Sequence, residues 1–472
     1  MFNLANIKKT WYYLQKNGIS DTFYAVLERL YARKSDLYPD KGYRYQPVSQ
    51  EELEKQRRVS FTKAYKFSIL VPMYETKPEF AKAMIDSVLA QTYPEWELIL
   101  ADASKSSLVQ DTVSGYDDER IRYYRLEKNA GISENTNAAL ALAEGDYIGL
   151  LDHDDLLTQD ALFEMASCME AAERAGKQVA FVYSDEDKCD TLAENYYEPN
   201  IKPAFNWDLL LSNNYICHFL VMKTELMKKL QFRSEYDGAQ DFDLVLRAAL
   251  YKNPEDVILH VDKVLYHWRC HDASTAANPR SKQYAYEAGK RASLDALYVY
   301  LQQVYKECWK AAGEKGDSPI YGNMLNGKTV DDFLANGILV SVQHTKHNGF
   351  YRVVYGKETA EDIFNVRKDV GIIAWSMKKH NKITGGILDS EGKCPYAGMH
   401  ARFSGYLHRN SLVQNCDRVN LTNAVIRKEI YTSLSEKEMS NLDLMQKEQR
   451  ICQIVRGKGY RILYDPMFDR HK

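Results

Sequence analysis

The chain of 472 residues has eight cysteines and no Cys-x-x-Cys among them. Scattered at positions 168, 189, 217, 270, 308, 394, 416 and 452, they suit reduced thiols in a cytoplasmic protein. They argue against a disulfide framework and a cysteine-built zinc site. Charge excess is lacking too: a formal net charge of −3 excludes the basic surplus of a nucleic-acid binder, so no nucleic-acid partner is expected. No apolar run approaches the roughly 18 residues of a spanning helix, and the polar first ten residues are unlike a secretory signal. The sequon Asn420-Leu421-Thr422 is then coincidental. What is abundant is hydrophobic side chain, 45% of the chain, enough for large cores spread over two or three domains.

Residues 1–64 read as helical, with a break at Tyr38-Pro39-Asp40-Lys41-Gly42 and a charged helix at 50–58. Lys8, Lys9, Trp11, Tyr12, Tyr13, Lys16, Arg29, Arg33 and Lys34 mix basic and aromatic character there. A helix burying one face on its own protein accounts for this, and peripheral contact with the inner face of the cell membrane stays open. From Phe67 strands and helices alternate. Apolar periodicity predicts strands at 67–71, 96–101, 121–126, 147–151 and 179–183, and helices at 78–91, 132–143 and 156–175. The expected fold is α/β, Rossmann-like, a mostly parallel sheet with helices on both faces.

Open sheets of this kind bind ligands beyond the carboxyl ends of their strands. The residues at those ends are Pro72-Met73-Tyr74-Glu75, Asp102-Ala103-Ser104, Asp152-His153-Asp154 and Ser184-Asp185-Glu186-Asp187. Topology alone therefore gathers polar and acidic groups on one edge. An apolar strand ending in Asp-x-Asp can present two carboxylates to one hard cation and its bound phosphate oxygens, which suits Mn²⁺ or Mg²⁺. A calcium-binding helix–loop–helix does not fit, because the sixth and twelfth positions counted from Asp152 are Leu157 and Phe163. His267 and His271 are four apart, but they follow a strand-like segment and have no third nitrogen or sulfur ligand nearby in sequence, so zinc is not expected.

The ordered series of segments resembles the family 2 glycosyltransferases, inverting enzymes of the GT-A fold. It comprises Phe67-Ser68-Ile69-Leu70-Val71-Pro72-Met73-Tyr74, Ser87-Val88-Leu89-Ala90-Gln91-Thr92-Tyr93, Trp96-Glu97-Leu98-Ile99-Leu100-Ala101-Asp102-Ala103-Ser104, Asn129-Ala130-Gly131-Ile132-Ser133 and Glu144-Gly145-Asp146-Tyr147-Ile148. The Asp-x-Asp follows, then Tyr183-Ser184-Asp185-Glu186-Asp187, Gly238-Ala239-Gln240-Asp241-Phe242-Asp243-Leu244 and Tyr266-His267-Trp268-Arg269-Cys270-His271-Asp272-Ala273-Ser274-Thr275. The resemblance covers about residues 66–300.

It implies a nucleoside-diphosphate sugar donor, UDP- or dTDP-linked, held by Pro72, Tyr74, Glu75, Asp102, Ser104, Asn129, Gly131, Asn135, Asp152, His153 and Arg269. Asp102 would accept the N–H of the base, or else cap its strand. Asp152, Asp154 and His271 would hold the metal, Asp154 most directly. Asp241 would be the catalytic base, with Asp243 its alternative, unless Asp241 is only a helix N-cap. Asn214, Tyr215 and Gln240 would face the acceptor, a glycan or lipid-linked glycan. Where the family often has Arg-Asn after the glycine loop, this chain has Thr136-Asn137, which removes a phosphate contact.

Residues 342–356 resemble the connector to a second module in tandem members, yet only the back half of such a module follows. Segments 369–374, 385–389, 422–428 and 459–466 fit it, with the base position near Glu448 and no Asp-x-Asp before it. The reading divides the chain into a helical region 1–64, a transferase domain 65–306, a linker 307–356 and a non-catalytic partial second domain 357–472, which leaves a homodimer open. The whole is that of a bacterial, cytoplasmic, metal-dependent hexosyltransferase of surface polysaccharide or cell-wall glycan synthesis. A non-catalytic sugar-nucleotide-binding scaffold and a nucleotide-sugar phosphohydrolase are its rivals.

Overall fold

The computed structural model describes residues 4–36, 38, 41–271, 283–312, 320–321, 332–347, 349–435 and 439–468; the end of one motif, Asp272 to Thr275, lies outside them. The chain forms two compact units. One comprises Tyr43–Phe205 and Asn214–Ala292, the other Met1–Gly42, Asn206–Asn213 and Ser293–Lys472.

The first unit is built on a nine-stranded sheet. Its strands are β1 (Phe67–Met73), β2 (Trp96–Asp102), β3 (Ile121–Arg125), β4 (Tyr147–Leu150), β5 (Leu156–Leu157), β6 (Val179–Cys189), β7 (Tyr196–Asn200), β8 (Leu220–Lys223) and β9 (Val257–Arg269). The order is β3-β2-β1-β4-β8-β6-β9-β5, with β7 on β6. The first four strands are mutually parallel, β8 runs against β4 and β6, and β6 and β9 are again parallel. Near-continuous apolar runs such as Ile69-Leu70-Val71 are buried on both faces, as a helix-covered parallel sheet requires. Helix Pro78–Leu89 shows how the cover works: Pro78 opens its first turn, and Phe80, Ala81, Met84, Ile85 and Val88 fall on one buried face. Burying each of the larger ones contributes roughly 1.5–3 kcal/mol.

Two predicted elements differ. The helix expected from 156 begins only at Ala161, because Leu156–Leu157 pairs antiparallel with Tyr266 and His267 and the Thr158 N–H goes to the Leu265 carbonyl. The strand expected to stop at 183 continues to Cys189, so its acids are not at a tip. These acids are themselves buried and each has a partner: Asp185 meets His260 at 2.8 Å, Glu186 meets His218 at 3.1 Å, and Asp187 meets His267 at 2.5 Å and Tyr43 at 2.7 Å. His267 and His271 are not on a helix; His267 belongs to β9.

In the second unit helix α1 (Leu4–Ala32) is interrupted at Gly18, whose φ is 77°. It packs through Tyr24 on His400 and Tyr31 on Phe403, while Glu28 accepts the N–H groups of Ser404 and Gly405. The predicted burial of one face holds, though the buried face is not the more apolar one. Much of the stretch read as a linker is ordered: Ile320–Tyr321, Asp332–Ala335, Ile338–His344 and Tyr351–Tyr355 form an antiparallel sheet. Three of the four segments likened to a half module contribute strands Val370–Ala374, Ala424–Ile426 and Arg461–Tyr464 to a small mixed sheet completed by Gln414–Asn415, while 385–389 lies outside it. Beside it Arg367, fully buried, pairs with both Asp208 and Asp369.

Candidate active site

The register of the sheet puts the carboxyl ends of β2, β1 and β4 side by side, with Met73 opposite Asp102 and Leu70 opposite Leu150. Asp102 is completely buried. Its Oδ1 accepts the Ser104 N–H (2.9 Å) and hydroxyl, and its Oδ2 accepts the Tyr123 hydroxyl (2.8 Å) and the Arg125 guanidinium (3.0 Å). A carboxylate offers about four lone-pair sites, and all of them are engaged. The base contact assigned to Asp102 would require one of these donors to leave. In this structure those four donors tie the end of β2 to β3 and to the loop after it.

Around this clasp the two loops are stitched together. The Glu75 N–H donates to the Ser104 hydroxyl (2.7 Å), and the Glu75 carboxylate accepts the N–H groups of Lys105 (2.6 Å) and Ser106 (3.3 Å). Tyr74 stands exposed at the end of β1, with Pro72 half-buried behind it. In the glycine loop, Asn129 accepts from the Gly131 N–H (3.1 Å) and the Asn135 amide (2.9 Å), and Asn135 accepts the Ala130 N–H (3.1 Å). Thr136 donates to the Ile132 carbonyl, and Asn137 exchanges two hydrogen bonds with the Phe232 backbone. The departure from Arg-Asn thus has a structural role.

Beyond β4 the acids gather. The Asp152 side chain is 54% exposed; Asp155, not singled out from the sequence, is buried and accepts the Arg269 N–H (2.7 Å) and the Tyr266 hydroxyl (2.6 Å). Asp154 Oδ2 lies 2.7 Å from His271 Nε2. Loss of water, then repulsion from Asp152 and Asp154, pushes the Asp155 carboxyl well above the usual range. Arg269 is buried, its Nε and Nη1 given to the carbonyls of Asp154 (2.6 Å) and Thr191 (2.7 Å). These two bonds brace the acidic loop, and Nη2 has no partner among the described residues. His153 is half-buried, its Nδ1 likewise unpartnered among them.

Asp241 sits in the first turn of helix Gln240–Tyr251, whose N-cap position is Ala239. The cap alternative therefore fails. Its Oδ2 accepts the Asn214 amide at 2.7 Å and lies 3.8 Å from Cys217 Sγ. Asp243, the other candidate base, is buried and gripped by Arg233 and Arg247. Gln240 accepts the Gly238 N–H (2.8 Å). Tyr215 is buried against Tyr183 and does not line the acceptor side.

His218, which the sequence reading did not single out, joins these parts. His218 Nε2 is 3.6 Å from Cys217 Sγ and 3.8 Å from Asp152 Oδ2, and its ring stacks on Tyr266 at 4.5 Å. Contacts thus run from Asp241 through Cys217 and His218 to Asp152. Behind them Lys202, its side chain fully buried, lies 3.4 Å from Glu186. Burial opposes the Glu186 charge, but Lys202 and His218 overcome it and bring the carboxyl down to about 2.

Among the described residues, two groups bring three ligand atoms within 4.8 Å of one another: Asp152, Asp155 and His218, and Glu186, Cys217 and His218. The first fits a hard divalent cation, since it is oxygen-rich and its crowded carboxyls gain from a positive charge. The predicted partners Asp154 and His271 stand beside it as a pair.

Residues 68–231 match the model of glycosyl transferase family 2. WcaA of Escherichia coli (strain K12), a provisional colanic acid biosynthesis glycosyl transferase, is 30% identical over 41% of this chain and 72% of its own. The chain belongs to glycosyltransferase family 2. The uncharacterized protein y4gI of Sinorhizobium fredii (strain NBRC 101917 / NGR234) is 29% identical over 84% of this chain, which spans about half (52%) of its length. Among solved structures, S. aureus TarS 1-349 in complex with UDP-GlcNAc is similar over 51% of this chain and 72% of that one, at 17% identity and a TM-score of 0.40.

Proposed function

We propose that the protein is an inverting hexosyltransferase that moves a sugar from a UDP- or dTDP-linked donor to a glycan acceptor in surface polysaccharide or cell-wall glycan synthesis. The observation that supports this reading is the run of contacts Asp241–Cys217–His218–Asp152, which links a candidate base to the acidic loop. Asp152, with Asp154, Asp155 and the two histidines, would hold Mn²⁺ or Mg²⁺. That ion supplies neutralisation of the leaving diphosphate. Asp241 takes the proton of the acceptor hydroxyl as the new bond forms on the sugar face opposite the nucleotide, and the Asn214 amide holds the carboxylate for that transfer. Asp243 cannot share the task while two arginines neutralise it. The region 357–472 is read as non-catalytic, since Glu448 is buried there and accepts the Leu421 N–H (3.0 Å) without an Asp-x-Asp to accompany it.

The test is calorimetric titration with UDP, dTDP, GDP and CDP, with and without Mn²⁺, on the unaltered protein and on Asp154→Ala. Mn²⁺-dependent binding of UDP or dTDP, lost in the variant, is expected. No binding of any nucleotide would overturn the transferase reading. Sugar 1-phosphate and nucleoside monophosphate as the main products, with acceptor present, would favour a phosphohydrolase.

A further inference from the structure

Helix α1 turns its more apolar side away from the protein. Past the interruption at Gly18, Ile19 (81% exposed), Phe23 (57%), Val26, Leu27 and Leu30 recur at spacings that fall within an arc of about 100° on a helix. Trp11, on the preceding stretch, is 59% exposed. The opposite side, with Tyr24, Glu28 and Tyr31, is the one that packs.

Charge is sorted the same way. The acids of the helix look inward, Glu28 toward Ser404 and Gly405 and Asp21 toward Lys346, 3.8 Å away. Arg29, Arg33 and Lys34 are exposed, and no carboxylate of the described residues pairs with them. A second copy meeting this face with its own would bring base against base. A bilayer with anionic headgroups supplies both an apolar layer and the countercharge. No helix of the described residues is long and apolar enough to cross a membrane, so contact of this kind lies in the interface.

We propose that α1 is an interfacial anchor, laying Ile19, Phe23, Val26, Leu27 and Leu30 into an anionic bilayer surface with Arg29, Arg33 and Lys34 against its headgroups. The anchor stands whether or not the chain transfers sugar. Flotation of the full chain tests it, with vesicles of mixed phosphatidylglycerol and phosphatidylcholine and with vesicles of phosphatidylcholine alone. Binding to the mixed vesicles is expected, weaker by about tenfold or more on the neutral ones and at high salt. Phe23→Glu with Leu27→Glu, and separately Arg29→Glu with Arg33→Glu, should each lower it by about tenfold with melting unchanged. Failure to bind the mixed vesicles, equal binding to the neutral ones, or variants that bind as well as the parent would overturn the proposal. So would a dimer, seen by light scattering, that the Phe23→Glu, Leu27→Glu pair dissolves. The lipid and salt comparisons on the unaltered protein decide the matter even if a variant does not fold.

Discussion

Two aspartates two residues apart show how partners, more than position, assign roles. Asp241 has one amide donor and a thiol near it, whereas Asp243 is enclosed by Arg233 and Arg247. Asp241→Asn should lower transfer by roughly 10²–10⁴-fold and leave the melting temperature in place. Asp243→Asn should do the reverse in kind, costing about 3–5 kcal/mol of stability by leaving two arginines without their counter-charge. Parallel assays of rate and thermal melting separate the two. The sequence identified both candidates and could not rank them by environment, because Arg233 reaches Asp243 from outside the helix. Asp102 makes the same point from the other side: its place at a strand end was legible, while its engagement by Tyr123 and Arg125 depends on the neighbouring strand.

At the scale of elements, the parallel strands and the helices between them were readable because buried strands and amphipathic helices each leave a periodic apolar trace. The long strand Val179–Cys189 was cut short in that reading. Its acids look like a solvent-facing tip until His260, His218 and His267, distant in sequence, come to meet them. His218 itself carried no motif strong enough to mark it as a link between base and acidic loop. The glycine loop offers a sharper check. Gly131 has φ 96°, and a Cβ there would lie 2.9 Å from Asp237 Oδ2, while the other oxygen of that carboxylate, Oδ1, accepts the Ser133 hydroxyl. Gly131→Ala is expected to cost roughly 1–3 kcal/mol, visible in chemical denaturation, and to weaken donor binding by displacing Asn129 and Asn135.

For the molecule as a whole, acid should remove stability through buried carboxylates that the fold keeps ionised. Burial disfavours the charge on Asp369, but Arg367 and then Arg461 prevail and bring its pKa down from 3.8 to about 2. A depressed pKa means that the folded state holds the proton less tightly. Its contribution, on the order of 2 kcal/mol, is complete above about pH 4 and disappears as the pH falls through 2. Asp369→Asn should flatten the loss of stability across that window in urea titrations made at successive pH values; an unchanged slope would show that other carboxylates govern it.

The stretch Asn206–Asn213 lies in sequence inside the family-matched segment 68–231, yet it belongs to the other compact unit. There Asn206 donates to the Asn415 carbonyl, Asp208 meets Arg367, and Trp207, Leu209, Leu210 and Leu211 are buried. A fragment ending at residue 292 would carry Trp207, Leu209, Leu210 and Leu211 without the residues beyond it that Asn206 and Asp208 bind, so a cut there removes part of the setting in which this stretch folds.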